Sequence, residues 1–356
     1  MRVGLFAFNF NQIRKNWNFN RWFLILGGKF WIVDSRGTQR LSEARGPEAM
    51  ALSSRLYRPA LSRSGPRIRQ EQPELIAVAE HGRFGNSIRQ VIQALAVAEK
   101  MGIREVVATS LPQFPRGSWP IIPGLVLTHD PLLRPRIVKK TSTILGGDFF
   151  VGGRLPTLDG TNDYHKLAAG LGAAGGLADI PPIDSATVVI HVRSGDAFSD
   201  TPHPNLGQPP LSFYTKALRA LTPIQVVLVV EDFRNPIIGE LVDFLERQSI
   251  ACVVQSGTFD DDLRVLLAAQ TLIVSRGTLA DAIDLLSNNL KTRISFGPLH
   301  PPRFPKGSTY RELSIQDDDG SYSAEVISHW KNSPTQVEMM LTYPTENLVL
   351  SWSNPS

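Results

Sequence analysis

The sequence predicts an α/β chain built on parallel sheets with crossover helices, and three observations carry that reading. Runs such as Val188-Val189-Ile190, Val226-Val227-Leu228-Val229-Val230 and Leu272-Ile273-Val274 fit strands buried on both faces. The segments between such runs carry apolar residues at helical spacing. Finally, three of the strands stop abruptly at polar clusters: His191 to Asp196, Glu231-Asp232 and Ser275 to Thr278. With 356 residues, 42% hydrophobic and 20% charged, the chain has material for two domains of ordinary size.

The amino-terminal stretch reads differently. Trp22-Phe23-Leu24-Ile25-Leu26 follows Arg14, Lys15 and Arg21 in the manner of a signal or anchor, but Gly27, Gly28 and Lys29 interrupt it before Phe30-Trp31-Ile32-Val33. A spanning helix needs about 20 predominantly apolar residues, and a central charge is costly. Residues 34–72 are rich in Arg, Ser, Pro and Glu, so residues 1–72 are expected to be a disordered leader or an over-extended start. The folded body then comprises 73–178 and 179–356.

Leu75 to Ala79 is the first expected strand. Asn86 to Lys100 follows as a helix, with Ile88, Val91, Ile92, Leu95, Ala96 and Val97 on one face, and Arg104 to Ala108 resumes as a strand. Residues 111–163 are Pro- and Gly-rich and expected to be loops, and glycine-rich Ala168 to Ala178 is a weak helix or linker. In the second half the expected order is strand Thr187–Val192, helix Phe213–Leu221, strand Val226–Val230 and helix Pro236–Gln248. Strand Ala251–Val254, helix Leu263–Ala269, strand Leu272–Val274 and helix Leu279–Leu286 complete it. Cys252, the single cysteine, reads as a buried strand residue, which excludes a disulfide framework and a cysteine zinc site.

A net charge of +4 is too small to imply nucleic acid but favours acidic small ligands. No Gly-x-x-x-x-Gly-Lys loop and no Gly-x-Gly-x-x-Gly after a strand are present, which argues against a P-loop hydrolase and a nicotinamide oxidoreductase. Asp260-Asp261-Asp262 contains an Asp-x-Asp pattern that elsewhere holds a divalent cation. Here it stands at a helix start, where carboxylates favour the dipole. Asp317-Asp318-Asp319-Gly320 reads as a solvated turn, and the seven histidines show no ligand spacing.

The chemistry is expected at the strand ends. Open α/β sheets bind ligands outside the carboxyl ends of their strands. An Arg there, beside the Gly195 turn, suits an anion such as phosphate, because its planar fork grips two oxygens. Arg193 is the first candidate. His191 either orients Arg193 or contacts a diphosphate, or else is a core histidine satisfied by backbone. Asp196 holds Arg193, bonds local backbone, or acts as a base or acceptor ligand. Gly85 and Asn86 begin a helix whose bare N–H groups suit an anion or sugar hydroxyls, the alternative being a plain Asn cap. Glu231 and Asp232 suit base or ribose hydroxyls, or cap locally.

These segments together resemble a family. His81-Gly82-Arg83-Phe84-Gly85-Asn86-Ser87-Ile88-Arg89-Gln90 resembles the glycine-asparagine loop and helix of the fucosyltransferase superfamily, closest to the bacterial α-1,2 group. His191-Val192-Arg193-Ser194-Gly195-Asp196 resembles its His-x-Arg-Arg-Gly-Asp hallmark, and Pro210 to Leu218 the helix that follows. Glu231-Asp232, Leu272 to Leu286 and Glu338 to Pro344 have counterparts in the same order. Two departures stand out: Ser194 replaces the second Arg, and Arg276 occupies a turn that is usually small and polar.

The resemblance implies a GT-B fold, two Rossmann-like doubly wound domains facing a cleft, with 73–178 on the acceptor side and 179–356 binding the nucleotide sugar. It implies inverting transfer of fucose from GDP-fucose to a glycan hydroxyl, with no cofactor, no obligatory metal and no nucleic-acid partner. Arg193, His191 and Asp196 would be catalytic. Gly85, Asn86, Arg193, Glu231, Asp232, Ser275 and Thr278 would bind the donor. A cytoplasmic protein is the expected setting, with peripheral membrane association left open. A non-catalytic nucleotide- or sugar-binding descendant and a transferase using another nucleotide sugar remain the alternatives.

Overall fold

The computed structural model describes residues 22–26, 29–34, 37–40, 75–78, 82–108, 111, 113–129, 144–147, 164–297 and 310–352. The chain divides into two units, Met1–Gly176 and Leu177–Ser356. Among the described residues, no helix is long and apolar enough to cross a membrane.

The first unit is an eight-stranded sheet. In chain order its strands are β1 (Trp22–Leu26), β2 (Lys29–Asp34), β3 (Gly37–Arg40), β4 (Leu75–Val78), β5 (Glu105–Ala108), β6 (Gly117–Ile122), β7 (Leu125–His129) and β8 (Ile144–Gly147). The spatial order is β3-β2-β1-β8-β4-β5-β7-β6. Its centre is parallel, β8-β4-β5-β7, and antiparallel hairpins flank it on both sides. Helix α1 (Phe84–Met101) buries Ile88, Val91, Ile92 and Leu95 and ends at Gly102, whose φ of +66° accepts the left-handed cap.

Two expectations change here. Residues 22–40, assigned on sequence to a leader, contain three strands that extend the sheet. The signal was present in the sequence: two aromatic-rich runs separated by Gly27-Gly28 are a hairpin pattern. Residues 111–163, expected to be loops, contribute β6, β7 and β8. Pro120 hides β6 from a propensity reading, and its edge position explains why a proline is tolerated. The glycine-rich segment is helix α2 (Tyr164–Ala174). Its Gly170 packs on β6 so closely that a Cβ would lie 2.2 Å from the Ile121 carbonyl oxygen.

The second unit holds β9 (Thr187–Val192), α3 (Leu211–Leu221), β10 (Gln225–Val230), α4 (Ile237–Arg247), β11 (Ala251–Gln255) and α5 (Phe259–Ala268). It continues with β12 (Thr271–Val274), α6 (Thr278–Leu286), β13 (Thr292–Phe296), β14 (Arg311–Asp317), α7 (Pro334–Thr342) and β15 (Leu348–Trp352). The strand order is β11-β10-β9-β12-β13-β14-β15, all parallel except β15. Counted from β9, the first six strands run 3-2-1-4-5-6, the order of a doubly wound Rossmann sheet. Val188, Ile190 and Val192 join a core with Phe213, Leu241 and Met340 from α3, α4 and α7. Val189 and Leu272 are equally buried, and α5 lies against β9 and β10.

One strand departs from its reading. β11 is the sheet edge, with Val253 48% exposed and Cys252 only partly covered, so an apolar run there marks no buried strand. Helix α5 starts at Thr258, whose hydroxyl accepts from the Asp261 N–H at 3.3 Å, and Asp260, Asp261 and Asp262 fill its first turn. Among the described residues, no three His, Cys, Asp or Glu side chains stand together as metal ligands. Helix α6 is held from behind by Arg293 of β13, 3.4 Å from Asp284 and 3.7 Å from Asp281. Tyr310 donates to Asp284 at 2.9 Å.

Candidate functional site

In a 3-2-1-4-5-6 sheet the order reverses between strands 1 and 4, and the crevice outside their carboxyl ends is the expected ligand position. Here those strands are β9 and β12. The His191–Asp196 and Ser275–Thr278 segments therefore meet at the switch point, although 82 residues separate Arg193 from Ser275. Ser275 is the joint. Its N–H donates to the His191 carbonyl at 3.0 Å, its Oγ accepts from the Arg193 N–H at 3.0 Å, and the same Oγ lies 2.9 Å from His191 Nδ1.

His191 keeps some surface at the strand end, but its ring is enclosed by protein. Burial, and then the adjacent Arg193 charge, lower its pKa to about 4, so the imidazole is neutral at pH 7. Neutral imidazole needs one donor and one acceptor, and a serine hydroxyl can serve either ring tautomer. The consequence for stability follows from linkage. The unfolded chain takes up this proton near pH 6.5 and the folded chain only near 4, so the stabilisation is complete above 6.5 and falls as pH drops toward 4. We expect urea unfolding of the chain to show a loss of about 2 kcal/mol from this group between pH 7 and pH 5. A His191→Gln variant should lack that component. An unchanged pH slope in the variant would contradict the burial.

Arg193 is held in an extended reach across the switch point. Its Nη2 donates to Asp196 Oδ1 at 3.0 Å, and its Nη1 lies 3.5 Å from the Arg276 carbonyl oxygen. The guanidinium rests against Gly277, the residue before α6: a Cβ there would stand 2.5 Å from Nη1, and the backbone φ is +151°. Arg193 is thus a cation aimed at the amino terminus of a helix. With one edge on Asp196, the guanidinium and the helix amino terminus are two positive features side by side, an arrangement suited to an anion. Thr278 is the first residue of that helix.

A second set of contacts fixes the loop. Ser194, fully buried, donates through Oγ to Asp232 Oδ1, and that Oγ accepts from the Asn235 N–H at 3.0 Å. Asn235 Nδ2 donates to the Arg193 carbonyl at 2.8 Å, while its Oδ1 caps Ile237 N–H at 3.0 Å. Partial burial works against the charge on Asp232. Hydrogen bonds from Arg234, Ser194 and the Gly195 N–H outweigh it and hold the carboxyl far below the ordinary range. Asp232 is therefore a scaffold for the β9 loop. Glu231 is exposed and faces the turn, since a Cβ on Gly195 (φ +59°) would meet its Oε2 at 2.2 Å.

Seven of the nine candidate residues thus gather in the second unit: Arg193, His191, Asp196, Glu231, Asp232, Ser275 and Thr278. Gly85 and Asn86 lie in the first unit, near the start of α1, and His81 lies outside the described residues. Arg83, not Asn86, is the cap position, and no side chain caps it. Asn86 sits one turn inside and folds back over Gly82 (φ +64°), where a Cβ would stand 2.4 Å from Asn86 Nδ2. Asn235 and Gly277 were not singled out by sequence. Asn235 before Pro236 carries the turn-initiating signature of an Asn-Pro pair, whereas the need for Gly277 depends on an arginine from another strand.

No protein-family model and no curated protein matches the chain. Among solved structures, POFUT1 in complex with GDP is similar at 9% identity and TM-score 0.38, over 63% of this chain and 98% of that one. The Escherichia coli heptosyltransferase WaaC with ADP is similar at 11% identity and TM-score 0.38, over 68% and 93%. The glycosyl transferase family 9 protein from Veillonella parvula is similar at 12% identity and TM-score 0.36, over 75% and 95%.

Proposed function

We propose that the chain transfers a glycosyl group from a nucleoside-diphosphate sugar to a glycan hydroxyl, with GDP-fucose as the donor that its motifs most resemble. The observation that carries this reading is Arg193. It is a guanidinium oriented by Asp196 and laid against the amino terminus of α6 at the switch point of the sheet. Departure of a nucleoside diphosphate builds negative charge on the phosphate oxygen that leaves the sugar. A preorganised cation beside it stabilises the transition state more than the ground state.

The other residues support the same chemistry. A neutral His191 can accept or donate one hydrogen bond without adding charge. Glu231 stands at the end of strand 2 in the Rossmann count, the position from which an acid reaches ribose hydroxyls in this topology. Arg193, rather than a metal ion, would neutralise the leaving group. In the first unit, the resemblance gives Gly85 and Asn86 at the start of α1 as further ligand residues and 73–178 as the acceptor side.

Titration of the full chain with GDP, ADP and UDP tests the reading. Micromolar binding of one of them, unaffected by EDTA, is the expected result, followed by release of that nucleotide from its sugar conjugate when a glycan acceptor is supplied. A folded chain that binds none of the three would overturn the proposal. In a parallel titration with NADH, binding there and of none of the three would point to hydride chemistry instead.

A further inference from the structure

Arg276 stands at the switch point, and neither the resemblance nor the leaving-group argument explains it. It lies between Ser275, which joins β9 to β12, and Gly277, which bears the Arg193 guanidinium. Its Nη1 donates to the carbonyl of Ile327 at 3.3 Å, the last residue of the π-helical turn Ser323–Ile327. A guanidinium has five N–H donors, and this contact uses one. Arg193, Arg234 and Arg293 each have a carboxylate within 4.0 Å, whereas among the described residues Arg276 has none. Burial opposes its charge. A half-buried cation without a counter-ion is unfavourable unless an anion completes its surroundings.

The Arg193 guanidinium reaches the turn that carries Arg276, its Nη1 lying 3.5 Å from the Arg276 carbonyl oxygen. Ser194, which stands where the resemblance would put a second arginine, is buried and points toward Asp232 and Asn235. Position 194 therefore offers the ligand no cation, and Arg276 is the arginine that the β12–α6 turn itself supplies.

We propose that Arg276 is a second phosphate ligand, so that Arg193 engages one phosphate of a nucleoside diphosphate and Arg276 the other. This rests on the nucleotide-sugar reading above. It makes the site selective for diphosphates over monophosphates and moves the second positive charge from the β9 loop to the β12–α6 turn. The bond to Ile327 then orients the guanidinium and ties that turn to the carboxyl-terminal segment.

The test is a set of titrations of the full chain with GDP and GMP, using wild type, Arg193→Ala, Arg276→Met and Arg276→Lys. Each of Arg193→Ala and Arg276→Met should weaken GDP by about 10- to 100-fold, the loss of charge-assisted hydrogen bonds to one phosphate. Only one of the two should also weaken GMP, because the monophosphate keeps a single phosphate. Arg276→Lys should recover part of the GDP affinity and the salt dependence that Arg276→Met loses. Equal GDP affinity in Arg276→Met and wild type would overturn the assignment. So would parallel losses of GDP and GMP in both alanine and methionine variants. A purely structural tie would lower the melting temperature of Arg276→Met and Arg276→Lys alike, with the GDP-to-GMP ratio unchanged. Where ADP or UDP is the nucleotide bound, the same series is read with it and its monophosphate; a folded wild type that binds none of GDP, ADP and UDP removes the nucleotide-sugar reading itself, a distinct outcome.

Discussion

Arg193→Ala should lower glycosyl transfer by about 10²–10³-fold in kcat while leaving the chain folded. The rate loss is large because the guanidinium is already in place before charge develops: Asp196 holds one edge at 3.0 Å and Gly277 admits the other. Preorganised charge of this kind acts without reorganisation at the moment of reaction. The stability loss is small because Asp196 remains 42% exposed and water replaces its partner. Partly exposed pairs of this type contribute about 0–1 kcal/mol. Arg193→Lys should recover little of the rate, since a point charge cannot bridge Asp196 and two phosphate oxygens at once. Steady-state kinetics with thermal melts of both variants separate the two effects. An alanine variant with undiminished kcat would remove Arg193 from the chemistry.

Gly277→Ala has the second largest expected effect, and it adds only one carbon. The new Cβ would lie 2.5 Å from Arg193 Nη1, and the backbone there holds φ at +151°, a conformation that side-chain-bearing residues rarely adopt. Two consequences follow. The guanidinium must move by a distance of order 1 Å, which in a preorganised site costs about 10²-fold in rate. The backbone strain destabilises the second unit by roughly 1–3 kcal/mol. Gly124→Ala is the control, since it also has a positive φ (+83°) but open space around the added carbon. It should lose stability without losing activity. If Gly277→Ala keeps full activity, Arg193 is not held against the turn in the working state.

How far the residues disclosed this site is clearest at β9. Val188-Val189-Ile190 reads as a doubly buried strand from composition alone, because β-branched side chains on both faces suit few other places. His191, Arg193 and Asp196 could be placed at its end for the same local reason. The acidic start of α5 was legible too, since Asp260 to Asp262 complement a helix dipole. Local reading failed where context decided. Ala251 to Val254 carries the same kind of apolar run as β9, yet it forms an edge with Val253 half exposed. Trp22 to Val33 was set aside for failing as a membrane span, when its Gly-Gly break marked a hairpin. The β6 strand was obscured by Pro120, which only an edge position accommodates.

The α/β class, the polar clusters at the strand ends and the arginine beside the Gly195 turn are all legible from the residues alone. These depend on side-chain shape and period over a few residues, which each segment carries wherever it folds. Which clusters meet depends on the strand order. The order β11-β10-β9-β12-β13-β14 places Ser275 against His191 and Arg193, and it sets Gly277 beneath a guanidinium supplied by another strand. It also brings Asp232 and Asn235, distant in sequence, into the hydrogen bonds that fix the loop carrying Arg193. Strand order arises from the burial of whole faces and the handedness of the crossovers, and no local run of residues records it.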